Sequence, residues 1–452
     1  DAFATPPAAE VDEATPVDTT ATMAIHLGNF DLKDFNIVYN DKITGINSRY
    51  RFDELGLKLN KTDLDSMDFE ASGVTLKNAH INLEQFAPLY PPDTSATAPM
   101  PRLVISDVLL QDVRADYKNI DDSLSAKVNL KKLTARIPEV DLRHNRIDVS
   151  AFALSDSQIE VENNNPPDKA VPVTGNREMT LREIWPPFTV NVDDFRITNT
   201  DIAYAAMGKQ PVKGQFDPDA LKLENIDFAL SDLILKKYEA SLKLEGLTFQ
   251  EASGLNLSNF QFNLNLDENS LNLKGLALQL NKNHLEGELK LDYNTLESFI
   301  KDPASSRITA SLNNLNADIG EFYLFSPQLK NNEYFVKLAR RPITGNIAAS
   351  GTLGNMNIYG ADFNWGTTRI SATGNLRHAT DPENLQFELK PFNVKTTKRD
   401  LTQFIDESEL GIKLPPAFTL KGTLAGTTSK FTTDAQLLTD QGTIDIKGYV
   451  DI

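Results

Sequence analysis

An eight-residue pattern recurs along this chain and constrains its fold more than any other feature. It reads apolar, any residue, apolar, any residue, then Asn, Asp or Gly, then apolar, any residue, apolar. Alternation with a period of two is typical of a β-strand with one apolar face, and the inserted residue shifts that alternation by one. A β-bulge or a tight two-residue turn there would keep all four apolar side chains on one face. Copies begin at Ile25, Leu103, Val190, Leu221, Leu242, Leu255 and Leu271, with looser copies at Val74 and Phe152.

A longer repeat contains this pattern in the first half of the chain. Three decapeptides that each end in Tyr align with one another, and they begin at Phe30, Val108 and Phe195. Self-similarity at a spacing of roughly 80 residues favours stacked supersecondary units over several unrelated domains.

These repeats divide the chain into a tether and four β-rich ranges. The tether is small, polar and Pro-bearing, which is typical of a flexible segment. Pro-rich joints precede the second and third units. They are predicted to be loops, because proline cannot donate a hydrogen bond into a sheet. The predicted ranges are 1–22 for the tether, 23–102 and 103–187 for the first two units, 188–310 for the third unit with its groove strands, and 311–452 for Gly-rich repeats with short helices.

Short helices are predicted to interrupt the strands. A Thr or Asp N-cap, an acidic first turn and an inward-facing Phe indicate helices of one to three turns from Thr295, Asp318 and Asp400. The sequence NLEQF at Asn82 is a fourth candidate. Strand content is expected to exceed half the chain, which suits a β repeat array better than an ordinary globular domain. The side chains expected to plug or cap the sheet are Phe299, Phe322 and Phe404.

The composition excludes several classes of protein. The net charge of −18 disfavours a nucleic-acid binder, and the absence of cysteine excludes disulfides and thiolate metal sites. No apolar run approaches the roughly 18 residues that span a bilayer, and no signal peptide begins at Asp1. Because the sequence also ends inside a predicted strand, we expect a segment of a longer protein whose anchor or export signal lies outside it.

The residues that could perform bond chemistry are better explained as surface residues. The acid pairs Asp121-Asp122, Asp193-Asp194 and Glu407/Glu409 could serve a glycosidase, but 63 acidic residues produce such pairs by chance. No phosphate-binding, dinucleotide-binding or hydrolase motif occurs. We therefore expect no catalytic residue, no cofactor and no metal. The histidines lack zinc-ligand spacing; they are His26, His80, His144, His284 and His378.

Two local basic patches stand out in this acidic chain. One contains Lys395, Lys398 and Arg399, and the other is the pair Arg340-Arg341. Solvated turns explain both patches, although either could also meet a lipid headgroup or an acidic partner.

The apolar stripe is the strongest functional candidate. A long sheet with one apolar face must close on itself, pack on a second sheet or hold something apolar. Helical segments that could cover such a sheet are few, so we expect a trough lined by Leu, Ile and Phe that suits acyl chains. The predicted lining residues are Leu221, Leu223, Ile226, Phe228, Leu242, Leu244, Leu247, Phe249, Leu255, Leu257, Phe260, Phe262, Leu271, Leu273, Leu276 and Leu278.

These motifs resemble the AsmA-like and TamB superfamily of Gram-negative bacteria, and most closely the TamB-like translocation and assembly module proteins of Bacteroidota. The resemblance rests on the strand pattern, the D-x-x-x-F segments 318–322 and 400–404, the prolines that follow at 327 and 415–416, and the G-x-L-G-N strand. It covers residues 22–452 by pattern, without an invariant catalytic motif.

The resemblance implies a curved β-trough, also described as a β-taco or a jelly-roll-like groove, in the periplasm. It implies an inner-membrane anchor, phospholipid transport toward the outer membrane and an Omp85-family barrel as partner. This sequence contains neither the membrane helix nor a recognisable partner-binding domain, so neither contact is assigned to residues here.

The sequence thus predicts an elongated, mainly β array of antiparallel strands that acts as a non-enzymatic lipid conduit. About 25 strands at ~4.8 Å spacing would extend on the order of 100 Å. Leu257→Arg is expected to block lipid passage without unfolding the trough. The alternatives are a structural or adhesive β-solenoid with a filled core, and a polysaccharide-acting β-helix enzyme that uses Asp193 and Asp194.

Overall fold

A computed structural model describes residues 28–87, 99–165, 181, 185–381, 383–411 and 413–451. The predicted tether, His26 and most of the first Pro-rich joint lie outside these ranges.

Twenty-two strands form one sheet and account for 68% of the described residues, which confirms the mainly β prediction. The first eleven are β1 Asn29–Asp41, β2 Ile46–Asp63, β3 Asp68–Gln85, β4 Arg102–Asn119, β5 Leu124–Asp141, β6 Arg146–Val149, β7 Ala151–Ser155, β8 Gln158–Asn163, β9 Thr189–Ala206, β10 Ala220–Lys236 and β11 Glu239–Glu251. The others are β12 Asn256–Leu266, β13 Ser270–Leu280, β14 Asn283–Asp292, β15 Arg307–Ala317, β16 Ile343–Thr352, β17 Asn355–Trp365, β18 Thr368–Arg377, β19 Gln386–Thr397, β20 Ala417–Thr427, β21 Lys430–Thr439 and β22 Gly442–Asp451.

The order of strands in the sheet follows the chain, with antiparallel pairing at most junctions. Two junctions are parallel: β3 pairs with β4, and β6, β7 and β8 together pair with β9. Two neighbouring strands can be parallel only if the connection between them crosses back to the border where the first strand began. The two Pro-rich joints lie in these two crossover connections. The sequence pattern did not reveal this reversal. Because β6, β7 and β8 share one position in the sheet, a spacing of ~4.8 Å places β1 and β22 about 90 Å apart along it.

Four inserted residues of the recurring pattern adopt a left-handed backbone conformation. Asn78, Asp156 and Asn225 have φ angles of 49°, 52° and 53°, and Gly275 has a φ of 61°. Glycine adopts this left-handed region freely, and Asn and Asp adopt it more readily than other residues, which explains the residue types at this position. The bulge prediction is confirmed at Asn225 and Gly275, where the strand pairing shifts by one residue. At Asn78 and Asp156 the pairing keeps its register on both sides, so no bulge forms there. The alternative of a two-residue turn is wrong for these copies.

The interruptions of the alternation lie opposite one another on neighbouring strands and form a continuous row, which we name the bulge line. Asn78 Nδ2 donates to Asp53 Oδ2 at 2.9 Å, and Asn199 Nδ2 donates to Asp156 Oδ1 at 2.6 Å. From β1 to β5 both partner strands are interrupted at the same place, so the pairing keeps its register across the row. From β1 to β10 this bulge line contains Asp34, Asp53, Asn78, Asp112, Lys131, Asp156, Asn199 and Asp227.

Apolar side chains beside the bulge line contact one another on the opposite face. Phe52, Ala79 and Val113 form a buried cluster there, and partly buried leucines such as Leu55 and Leu76 surround it. The three central residues come from β2, β3 and β4, each next to the bulge line. Apolar side chains of the first strands therefore pack together across the strands beside this line.

The connections between strands lie along two borders of the sheet. The first border contains the turns 42–45, 252–255 and 366–367, and the second contains 237–238 and 353–354. Helix α1, Leu296–Lys301, lies at the second border. Three further helices lie at the first border: α2 (Glu333–Leu338), α3 (Lys398–Leu401) and α4 (Glu407–Leu410). The 3-10 segments Ile319–Leu324 and Pro327–Asn331 lie at the same border.

The helix predictions were correct in place and partly wrong in detail. Thr295 caps α1 in a reciprocal capping box with Ser298, and Asp318 caps the segment that begins at Ile319. Asp400 is not an N-cap, because it lies inside α3 and is buried. The prediction of a helix at Asn82 is wrong: residues 82–85 continue β3 and pair with strands on both sides.

Glycines in the later strands occupy positions that exclude a side chain. Gly374 in β18 has a φ of +154°, and a Cβ there would overlap the carbonyl oxygen of Glu388 on β19. Gly374→Ala is expected to destabilise the protein by about 1–3 kcal/mol through this overlap and backbone strain, measured by urea unfolding. Gly360→Ala in β17 is the matched control, since its Cβ meets open space. Equal stability of the two variants would contradict this explanation.

Candidate functional site

The register of the sheet assigns side chains to its two faces. Residues directly opposite each other in a pair of strands point to the same face. Across β11 to β15, Leu242 pairs with Leu264, and Leu264 pairs with Leu273. Leu273 then pairs with Leu289, and Leu289 pairs with Ala310. One row of five strands is therefore wholly apolar.

The same face is apolar toward both ends of the sheet. Leu55 pairs with Leu76 at the beginning of the sheet, and Leu420 pairs with Leu437 near its end. On the other face, Lys290 pairs with Asn272 and with Thr309. We name these surfaces the apolar face and the polar face. Further residues of the apolar face are Leu110, Leu133, Leu154 and Ile197 in the first half of the sheet. Ile370, Val394 and Ile444 belong to the same face in the second half.

The predicted lining residues come together on this apolar face. Fifteen of the sixteen lie in β10 to β13 and pair with other residues of the face, and Leu255 lies immediately before β12. Ile226, Leu244, Leu255 and Leu257 are buried, whereas the other twelve are only half-buried. Their contact with acyl chains stays a prediction. The incomplete burial of twelve apolar side chains is the main physical property of the site.

The second border is covered by an apolar cluster. Leu181 and Trp185 pack there with α1, and the Trp185 indole donates to the carbonyl oxygen of Lys236 at 3.0 Å. Phe299 stacks on Tyr293 with the ring centroids 5.2 Å apart, which confirms its predicted capping position. Burial raises the pKa of Tyr293 to about 12, and its hydroxyl donates to the Asp267 carbonyl oxygen.

The first border is held by contacts between its helical segments and β17. The Trp365 indole donates to the Leu338 carbonyl oxygen at 2.9 Å, and Phe404 packs against the Trp365 ring at 5.5 Å. Phe404 thus caps the sheet as predicted. The prediction for Phe322 is wrong, because this side chain is 53% exposed. It belongs to a 3-10 turn, whose periodicity of three differs from the α-helical spacing behind the prediction.

Asp400 anchors this border and was not identified from the sequence. Its carboxylate is 1% exposed, accepts from Arg341 Nη1 at 2.6 Å, and accepts from the Thr367 amide at 2.8 Å and the Thr367 hydroxyl at 2.7 Å. Burial alone raises the pKa of Asp400, but the Thr367 hydrogen bonds and the Arg341 charge outweigh it and lower the pKa to about 2.

Two of the acids weighed as catalytic residues have structural partners. Asp194 forms an ion pair with Arg196 at 2.9 Å, and Glu407 forms one with Lys398 at 2.6 Å. His80 is exposed on the polar face and lies 3.0 Å from Asp116. In the described ranges, His, Asp and Glu side chains form no group of three or more that could hold a metal ion.

A recess of about 1070 Å³ indents the polar face beside the bulge line. Arg51, His80 and Arg114 line it from three adjacent strands, together with Asp53 and Asp112. Charged side chains of both signs do not suit an acyl chain, so this recess is separate from the candidate lipid surface.

Comparison with known proteins gives no relative for this chain. No protein-family model matches it, and neither a curated protein nor a solved structure does. The helices of the described part of the chain are too short to span a bilayer.

Proposed function

We propose that this protein is a non-enzymatic lipid conduit that holds acyl chains against the apolar face of its sheet. The observation that supports this function is the combination of a continuous apolar face with incomplete burial of its Leu and Phe side chains. Leu273, for example, lies between Leu264 and Leu289 and remains only half-buried.

Apolar surface that keeps contact with water favours an apolar ligand. Each acyl methylene removed from water contributes about 0.8 kcal/mol, so a lipid gains stability along the whole row of strands. The proposal includes a sheet that curves into a trough around the acyl chain, and the β-bulges at Asn225 and Gly275 support it because a bulge bends its strand. A filled β-solenoid core would bury these side chains almost completely.

The cellular setting is proposed from the family resemblance alone. By that resemblance, the ligand is phospholipid, the compartment is the periplasm, and the full-length protein is anchored in the inner membrane. An Omp85-family outer-membrane barrel is the proposed partner, with the conduit supporting outer-membrane assembly.

The proposed function is tested by analysis of lipid that co-purifies with the protein. Native mass spectrometry of the purified protein is expected to show bound phospholipid, and organic extraction is expected to recover the same species. A lipid-free protein that also fails to take up phospholipid from vesicles would contradict the proposal. Hydrolysis of a glycan that is lost in Asp194→Asn would instead favour the enzyme alternative.

A further inference from the structure

Two basic patches that are distant in sequence meet at the first border of the sheet. Arg341 forms its ion pair with Asp400 at 2.6 Å, and Arg340 Nη1 donates to Gln403 Oε1 at 3.3 Å. These contacts bring the pair Arg340-Arg341 next to α3, which contains Arg399. The two patches therefore form one area of the border, in which Arg340 and Arg399 are exposed.

Exposed apolar side chains lie on the same border segment. Phe322 is 53% exposed, Phe325 49% and Tyr334 59%, which is unusual for side chains of this size. The segment is folded, because Tyr323 packs against Phe335 with the ring centroids 5.6 Å apart. We define the border patch as Phe322, Phe325, Tyr334 and Ile405 with Lys330, Lys337, Arg340 and Arg399.

We propose that the border patch binds the surface of a bilayer that contains anionic phospholipid. Residues 318–341 and 395–409 contain seven basic and seven acidic side chains, so this border is neutral within a chain of net charge −18. Glu333, Asp400 and Glu407 form ion pairs with Lys337, Arg341 and Lys398. The exposed basic side chains of the patch are Lys330, Arg340 and Arg399. Anionic headgroups would be repelled by most of this protein and attracted to this patch. Charge complementarity thus favours a lipid surface over a second copy of this acidic chain.

The arrangement of rings and cations also fits a membrane interface. The Lys337 ammonium lies 5.3 Å from the centre of the Tyr334 ring, and the Lys330 ammonium lies 5.4 Å from that of Tyr323. At an interface, aromatic rings enter the headgroup region while lysine ammonium groups reach the phosphates. The border patch places both groups side by side, as interfacial segments do.

Flotation with vesicles tests this contact. The protein is expected to float with vesicles of phosphatidylethanolamine and phosphatidylglycerol, and to release them at high salt. Phe322→Ser with Tyr334→Ser is expected to lower the bound fraction at least about tenfold through lost apolar contact. Lys330→Gln with Arg399→Gln is expected to remove the preference for these vesicles over phosphatidylcholine vesicles.

The control is Tyr359→Ser, because Tyr359 is 66% exposed in the middle of β17 and not at the first border, where β17 ends. This control should float like the unchanged protein. Leu273→Arg on the apolar face should also float normally, so failure of the conduit proposal is distinguishable from failure of this one. Unchanged flotation of the Phe322/Tyr334 variant, or self-association through the patch without vesicle binding, would overturn the proposal.

Discussion

Replacing Leu273 with arginine is expected to lower phospholipid transfer between vesicles at least about tenfold, equivalent to about 1.4 kcal/mol of barrier. Leu273 lies in the middle of the apolar row between Leu264 and Leu289. A guanidinium there would face the acyl chain, and desolvating it would oppose lipid passage. Transfer of a fluorescent phospholipid measures the effect.

The neighbouring residue Asn272 supplies the matched control. It lies on the same strand and pairs with Lys290 on the polar face, so Asn272→Arg adds the same charge outside the lipid path. This control should transfer lipid normally. Normal transfer by Leu273→Arg as well would show that the apolar face is not the path. Leu273 is a better site than Leu257, which is 6% exposed and whose replacement by arginine would also destabilise the fold.

Asp400→Asn is expected to destabilise the protein by about 3–5 kcal/mol, because it leaves the Arg341 guanidinium without its buried counterion. Urea unfolding measures this change, together with proteolysis near the first border. Asp434→Asn is the control: its ion pair with Lys447 is exposed, so its loss should change stability by less than about 1 kcal/mol. A loss below about 1 kcal/mol in Asp400→Asn would contradict the assigned role.

The same residue predicts a dependence of stability on pH. The pKa of Asp400 is about 2 in the folded protein and about 3.9 in an unfolded chain. Its stabilising contribution is therefore fully present above pH ~4 and is lost as the pH falls toward 2. The difference in unfolding free energy between the unchanged protein and Asp400→Asn should shrink over that interval. A constant difference from pH 6 to pH 2.5 would contradict it.

The fold was predictable from the sequence where a local rule determines it. Asn225 and Gly275 interrupt the alternation at the positions where bulges occur, because few other residues adopt a positive φ. The pairing of Leu242 with Leu264 follows from the same alternation, since a shift of one residue would expose every leucine of the strand.

Other features depend on contacts that are distant in sequence. The parallel pairing of β3 with β4 leaves no local signal, because the strands themselves read like antiparallel ones. Asp400 resembles an ordinary N-cap until Arg341 and Thr367 enclose it. Phe322 was expected to face inward, but the 3-10 geometry of its turn directs it to solvent.

Site-specific photocrosslinking tests the central claim most directly. A photoreactive phenylalanine analogue would be placed at Leu273 on the apolar face and, separately, at Asn272 on the polar face, in cells that supply the natural lipids. The conduit predicts phospholipid adducts at position 273 and none above background at 272. Adducts at neither position, or equally at both, would contradict a lipid path along the apolar face.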